Sequence, residues 1–225
     1  MIIAIDGPSG AGKSTLGKML AKELNLLYLD TGAMYRGVGL AVLENNLTEK
    51  DKDKIIEIAE KAKIELIGEP DNFQILLNGR NVSTEIRTNQ VGQMASIVST
   101  ISEVRKILVE HQRNLGKNAS NGCVLDGRDI GTIVFPNADI KFFLTAKPEA
   151  RARRRYEEDL EKGCATNYKQ TFAEINLRDE RDVSREDSPL MIAEDAVVID
   201  TSELDLSEVF EQIMRVVREK QNEIA

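Results

Sequence analysis

Short apolar runs alternate with amphipathic stretches along most of this chain. Ile2 to Ile5 is apolar and is cut off by Gly7-Pro8, too brief for a helix, so it reads as a buried strand. Thr15 to Glu23 carries helix formers, with Leu16, Met19, Leu20 and Leu24 recurring at helical spacing. Leu26 to Leu29 is a second short strand ending at Asp30. A strand, a glycine loop, a helix and another strand make a βαβ unit. Helical patterns follow over Met34 to Leu43 and over Asp51 to Ala62, the latter with Ile55, Ile58, Ala59 and Ala62 facing inward.

The period then changes from helical to alternating. Ile64 to Ile67, Phe73 to Leu77 and Arg80 to Val82, separated by GEPDN and Asn78-Gly79, predict a small antiparallel meander. Such a meander fits poorly in a βαβ sheet, so the stretch from Asp51 to about Arg87 is expected to carry an appendage outside it. Helices resume over Asn89 to Val98 and, with Ser102 as N-cap, over Glu103 to about Leu115, where Gly116 is a stop signal. Cys123 to Leu125, ending at Asp126, and Ile140 to Leu144 are runs suited to strands covered on both faces. Pro148 opens a cationic helix that is expected to break around Lys162-Gly163-Cys164-Ala165, and Tyr168 to Glu180 is helical again. A strand over Ala196 to Ile199 and a helix over Leu206 to about Glu219 complete the pattern, without internal repeats.

The length of 225 residues suits one core with a subsidiary insertion. With 30 basic against 38 acidic side chains the net charge is −8, which argues against coating a nucleic-acid backbone; any phosphate must be met by a local cation cluster. The two cysteines, Cys123 and Cys164, give neither a disulfide framework nor a zinc pattern. Met1 runs straight into the first strand, with no basic leader and no long apolar stretch, so neither secretion nor membrane spanning is expected. The single histidine, His111, lies in a charged helix, which removes a histidine-based triad from consideration.

Gly7-Pro8-Ser9-Gly10-Ala11-Gly12-Lys13-Ser14 satisfies G-x-x-x-x-G-K-[ST] between a strand and a helix, the setting a phosphate-binding loop requires. Its glycines let backbone N–H groups turn toward a phosphate and the helix N-terminus adds its field. Lys13 is expected between the β- and γ-phosphates, with Ser14 supplying a hydroxyl to Mg²⁺. Asp126, at the end of its apolar run, stands where a metal-facing carboxylate belongs, although a strand-terminal turn residue is the alternative. Arginines form two sets. Arg151, Arg153, Arg154 and Arg155 occupy one helix, from which Arg151, Arg154 and Arg155 are taken with Lys13, Asp126 and Arg128 as the catalytic charges; Arg178, Arg181 and Arg185 recur at three- and four-residue intervals. Two sets favour phosphoryl transfer between two nucleotides over a switch with one arginine finger. Each arginine taken singly is also open to a reading as half of a surface Arg–Glu pair. Asp30-Thr31-Gly32-Ala33-Met34-Tyr35-Arg36 offers hydroxyl, ring and cation beside the loop, a composition for an acceptor pocket, with Tyr35 as a core aromatic the other reading.

Taken in order, IDGPSGAGKST, YLDTGAMYR, NVSTEIRTNQV, LDGRDIGTIVFPNA, RARRRY and LRDERDVSREDSPL resemble the bacterial cytidylate kinases from end to end. The resemblance implies an α/β fold with a five-stranded parallel core, a small inserted β meander (about 64–82) and a helical LID. It divides the chain into CORE (1–36), NMP-binding region (37–100), CORE (101–150), LID (151–187) and CORE (188–225). It further implies transfer of the γ-phosphoryl group of ATP to CMP or dCMP with Mg²⁺, in a cytoplasmic monomer with no nucleic-acid or membrane partner. By motif, Thr31, Arg36 and Arg128 resemble contacts to the acceptor phosphate. Ser96, Arg105, Asp129 and Arg185 resemble contacts to cytosine, and Arg178 and Asp182 contacts near the sugar. Another small-molecule P-loop kinase or a partner-binding P-loop switch are the alternative functions.

Overall fold

A computed structural model describes residues 1–161, 163 and 166–224. The chain runs β1 (Ile2–Asp6), α1 (Lys13–Leu24), β2 (Leu27–Asp30), α2 (Thr31–Glu44), α3 (Lys52–Lys61), β3 (Ile64–Ile67), β4 (Gln74–Leu77), β5 (Arg80–Asn81), α4 (Asn89–Val98) and α5 (Ser102–Lys117). It continues through β6 (Cys123–Gly127), β7 (Ile140–Thr145), α6 (Pro148–Glu161), α7 (Tyr168–Ser184), β8 (Val197–Asp200) and α8 (Leu206–Ile224). Five strands form one parallel sheet in the order β2-β6-β1-β7-β8. Parallel strands buried on both faces need apolar residues at nearly every position, and β1, β6 and β7 comply. On one face Ile3, Ile5 and Phe142 pack with Leu16 and Leu20 of α1 and Val209 and Ile213 of α8; on the other, Ala4 and Leu125 pack with Val109, Ile130, Val134 and Phe135.

Register places the chemistry at one edge. Ile5 aligns with Asp126, Asp6 with Gly127, and Asp30 with Asp126, so three carboxylates end adjacent strands at the carboxyl side of the sheet, where open α/β sheets bind ligands.

The meander forms the expected separate antiparallel sheet, β3-β4-β5, turned by Asn78 and Gly79, both at positive φ (51° and 81°). β3 spans the expected residues, while β4 and β5 are each one residue shorter than the pattern suggested: Val82 leaves β5, and Phe73 leaves β4 and meets Tyr28 edge-on at 5.4 Å between ring centroids. Ile64, Ile75 and Leu77 join α2, α3, α4 and α5 in a second core, and Gly37 of α2 makes room for the side chains of Ile64 and Ile75.

Four boundaries differ from the sequence expectation. The helix after β2 begins at Thr31, three residues early, because the Asp30 carboxylate caps it by accepting from Ala33 N–H at 2.8 Å. Ser102 is inside α5, whose N-cap is Ile101. Gly116 does not stop α5: it lies within the helix, where a Cβ would come within 2.6 Å of the Phe135 ring, so this glycine serves close packing. Ile130–Val134 is a turn of π-helix that periodicity did not reveal. Of the expected break after α6, Lys162, Cys164 and Ala165 lie outside the described residues; the helix ends at Glu161.

Candidate active site

The phosphate-loop segment leaves β1 and enters α1. Gly7 sits at φ 143°, and a Cβ there would lie 1.9 Å from the Leu144 carbonyl oxygen, so no other residue fits without moving β7. Gly12, at φ 88°, caps α1, leaving the first helical N–H groups without intrahelical partners. Lys13 is buried and donates from Nζ to Pro8 O at 2.7 Å. Burial, then the neighbouring Arg128 guanidinium, hold its ammonium pKa well below the ordinary lysine value. An anion would relieve both penalties.

Asp126 links the loop to its surroundings. Ser14 Oγ donates to its Oδ2 at 2.6 Å and Tyr28 OH to its Oδ1 at 3.1 Å, while Thr31 Oγ1 donates to its backbone carbonyl at 2.7 Å. Burial, then the nearby Asp30, push the Asp126 carboxyl up to about 6. Thr15 is exposed beside this pair. No cluster of three or more His, Cys, Asp or Glu positioned for a metal occurs among the described residues. A hydroxyl and one carboxylate in direct contact are nevertheless the donor set of a magnesium that takes its remaining ligands from phosphate and water.

A cleft of about 520 Å³ opens over this edge, lined by Ser9 to Ser14, Asp126, Arg36, Arg87, Arg128, Arg154, Arg155 and Arg178. A smaller cavity of about 170 Å³ adjoins it between α4 and α7; both are lined by Ser9, Arg36, Arg155 and Arg178, and Ser96 and Arg181 belong to the smaller one. Burial, then Arg178, lower the Arg36 pKa to about 9; burial, then Arg128, lower that of Arg178 to about 10. Of the other cleft arginines, Arg128 pairs with Asp182, Arg155 with Glu158 and Asp159, and Arg87 with Asp30. Arg151 differs: its guanidinium donates to Ala146 O, Ser9 O and Asp179, so it ties α6 to the loop and to α7 and does not line the cleft. Arg154 is partly engaged as well, donating to Thr201 Oγ1 at 2.9 Å.

Tyr35, Arg105, Asp129, Asp182 and Arg185 converge from three helices, α2, α5 and α7, and the end of β6 into a largely buried network. Arg105 donates to Asp129 and, at 3.2 Å, to Ser99 O, with its guanidinium 5.5 Å from the Tyr35 ring centre. Arg185 bridges Asp129 (3.7 Å) and Asp182 (3.9 Å), and Arg128 donates from Nε to Asp182 at 2.7 Å. Burial alone would raise the Asp182 carboxyl, but Arg128 and Arg178 bring it below its ordinary value. Among the described residues, five polar atoms here and beside the smaller cavity are buried without a hydrogen-bond partner: Tyr35 OH, Ser96 Oγ, Arg105 Nε, Arg178 Nε and Arg185 Nη2. Buried polar groups are nearly always paired, so these atoms have hydrogen-bonding capacity left for a ligand or water.

Residue patterns did not single out Asp6, Arg87 or the far end of the cleft, formed by Thr201, Leu204, Asp205, Leu206 and Val209. Arg87 lies within NVSTEIRTNQV, but nothing in that segment by itself assigns it a role. The turn from Thr201 to Asp205 did carry a signal, since it follows the last strand at the same sheet edge. Asp6, 4% exposed, accepts from Ile130 N–H at 2.8 Å and Gly131 N–H at 2.7 Å, and burial pushes its carboxyl up to about 6 despite those bonds.

The family model for cytidylate kinase matches residues 3–219. The chain is 49% identical over 220 residues to the cytidylate kinase of Carboxydothermus hydrogenoformans, covering 98% of each, and 50% identical over 218 residues to that of Caldanaerobacter subterraneus subsp. tengcongensis, covering 96% and 94%. Among solved structures, an uncharacterized protein from Eubacterium ventriosum superposes with a TM-score of 0.51 at 14% identity, over 97% of this chain and 98% of that one, a likeness of fold alone. A kinase phosphate loop, an arginine-lined cleft and near-full-length identity to these enzymes meet in one conclusion: the chain belongs to the cytidylate kinase family.

Proposed function

We propose that the protein transfers the γ-phosphoryl group of ATP to CMP or dCMP, giving ADP and CDP or dCDP. The observation that carries this reading is the set of buried polar atoms around Asp129 that lack a hydrogen-bond partner, next to a cleft lined by a phosphate loop and six arginines. A base needs directional hydrogen bonds and two phosphate chains need cations; Ser96 lines the smaller cavity, and Arg36, Arg155 and Arg178 line both cavities.

In this reading the amides of Gly7 to Thr15 and the Lys13 ammonium hold the β- and γ-phosphates, and the apolar far end of the cleft receives the donor's adenine. Ser14, with Thr15 adjacent, and Asp126 would hold Mg²⁺, which when bound adds positive charge across the phosphates. Thr31, Arg36 and Arg128 receive the acceptor phosphate, while Arg178 and Asp182 lie toward its sugar. Phosphoryl transfer is catalysed by positioning and charge: Lys13, Arg128, Arg154 and Arg155 face the transferring group, whose negative charge would offset their desolvation. Arg151 acts through its ties to Ser9 and Asp179, holding the loop and α7 in register. The α6–α7 segment, 151–187, is the lid that excludes water, since it brings Arg154, Arg155 and Arg178 to the cleft from above the sheet edge. The remaining divisions are core over 1–36, 101–150 and 188–225, and acceptor-binding region over 37–100.

Cytosine carries an amino donor at N4 and an acceptor at N3, whereas uracil reverses both. Asp129 pairs with Arg105 and Arg185, and a carboxylate only accepts hydrogen bonds, so it suits the amino group. Ser96, Tyr35 and the arginine donors complete the pocket. The acidic net charge of −8 supports free nucleotides over nucleic acid as partners, in a cytoplasmic monomer. ADP release coupled to an indicator reaction, with CMP, dCMP, UMP and AMP as acceptors, tests the reading. CMP and dCMP are expected to turn over best; preference for AMP or UMP, or equal ADP release without acceptor, refutes it.

A further inference from the structure

Asp6 is the last residue before the phosphate loop, yet its side chain serves the other nucleotide's side of the site. Its two carboxylate oxygens accept from consecutive amides, Ile130 N–H at 2.8 Å and Gly131 N–H at 2.7 Å. Those amides directly follow Asp129. Because a peptide group is planar, fixing the direction of the Ile130 N–H fixes ψ of Asp129, here 26° with φ −143°. The Asp129 carbonyl is pinned as well, accepting from Ile133 N–H at 2.9 Å and Val134 N–H at 3.1 Å across the π-turn. At the turn's far end Arg113 of α5 donates to Ile133 O and Val134 O, at 2.6 and 3.0 Å. Beneath its start the stem of Lys141 lies where a Cβ on Gly131 would approach to 3.0 Å. The irregular turn is therefore clamped from β1, β7 and α5, and Asp6 is the clamp nearest to Asp129.

We infer that Asp6 is a positioning residue for base discrimination: by holding the Ile130 and Gly131 amides it aims the Asp129 carboxylate between Arg105 and Arg185 and toward the acceptor base. This rests on the reading of Asp129 as the base-facing carboxylate. The side chain that introduces the donor's loop thereby also sets the acceptor pocket. A turn of π-helix lacks the regular ladder that would hold its own first amides, which is why an outside carboxylate is required there.

The test is the ratio of kcat/KM for CMP to that for UMP at saturating ATP, in which donor-side effects cancel because both acceptors share one donor site. Asp6→Asn keeps the shape but turns an amide donor toward one of the two N–H groups, and is expected to narrow the ratio about tenfold, as for a buried polar group left mispaired. Gly131→Ala loosens the same tie from the other side, since its Cβ would lie 3.4 Å from Asp6 Oδ2 and 3.0 Å from Lys141 Cδ, and should narrow the ratio about threefold. If Asp6 acts through Asp129, the double variant Asp6→Asn/Asp129→Asn matches the ratio of Asp129→Asn alone. A ratio unchanged in Asp6→Asn while both acceptors slow equally overturns the inference and leaves the reading of Asp129 intact. Should Asp6→Asn not fold, an unchanged ratio in Gly131→Ala overturns it. A wild-type ratio near one overturns the base reading itself, and the inference with it.

Discussion

The two sides of this site, proposed for donor and acceptor, are built in opposite ways. The donor side is one continuous segment, Gly7 to Thr15, whose chemistry is mainly backbone amide and whose shape depends on positive φ at Gly7, Gly10 and Gly12. The acceptor-base side is made of charged side chains from α2, α5, α7 and the end of β6, joined through Arg105–Asp129–Arg185–Asp182–Arg128. Their electrostatics differ too. On the donor edge Asp6 and Asp126 are buried with too little compensating charge, and both carboxyls are pushed up to about 6. In the network Asp182 is surrounded by arginines and is pulled down. A backbone cradle depends on its turns and, here, on the Lys13 ammonium; a charge network tolerates neither the loss nor the neutralisation of a member.

The largest effect should come from Lys13→Ala. Loss of charge at the transferring group is expected to lower kcat by about 10³-fold or more while circular dichroism and melting stay close to wild type. Retention of over a tenth of kcat would remove Lys13 from the catalytic account. Next, Asp182→Ala strips the shared counter-ion from Arg128 and Arg185 and should destabilise the fold by about 3 kcal/mol, read as a lowered urea midpoint. Stability within about 0.5 kcal/mol of wild type would show that the network is not held by its charge balance. The change Asp129→Asn is milder, because size is kept: CMP activity should fall more than UMP activity, narrowing their kcat/KM ratio at least about tenfold. An unchanged ratio would assign Asp129 to the phosphates or metal instead of the base.

The smallest effect is in pH dependence, and its sign separates the two regions. A carboxyl whose pKa is raised on folding stabilises the fold fully below the unfolded value of 3.8, and that contribution disappears as pH rises through about 6. The stability of wild type relative to Asp126→Asn should therefore decline between about pH 4 and pH 6. Asp182, lowered on folding, behaves oppositely: its contribution is present above 3.8 and is lost on acidification below that. Urea titrations across pH 3 to 7 of wild type, Asp126→Asn and Asp182→Asn check both slopes; parallel slopes in the two variants would abolish the distinction.

The phosphate loop was legible because a β-strand, a glycine turn and a helix N-terminus are contiguous, so residue order alone specifies where the amides point. The parallel sheet was legible as well, since strands buried on both faces must be apolar throughout. The meander announced itself by the change of period and by Asn78-Gly79, which accept positive φ. What stayed hidden depended on neighbours distant in sequence. Gly116 reads as a helix stop, yet it is a gap for the Phe135 ring. Ser96 and Arg105 occupy ordinary helical positions, and family resemblance alone pointed to them. Asp6 looks like a turn residue until the sheet sets it beside residues 124 and 125 positions further along. By itself, the sequence determined the local geometry that one or two turns of backbone can enforce. Which arginines face the cleft, which one is spent as a tie, and which carboxylate carries an uncompensated charge were decided only by the tertiary structure, because desolvation and Coulomb energy depend on what surrounds a group and residue spacing does not record it.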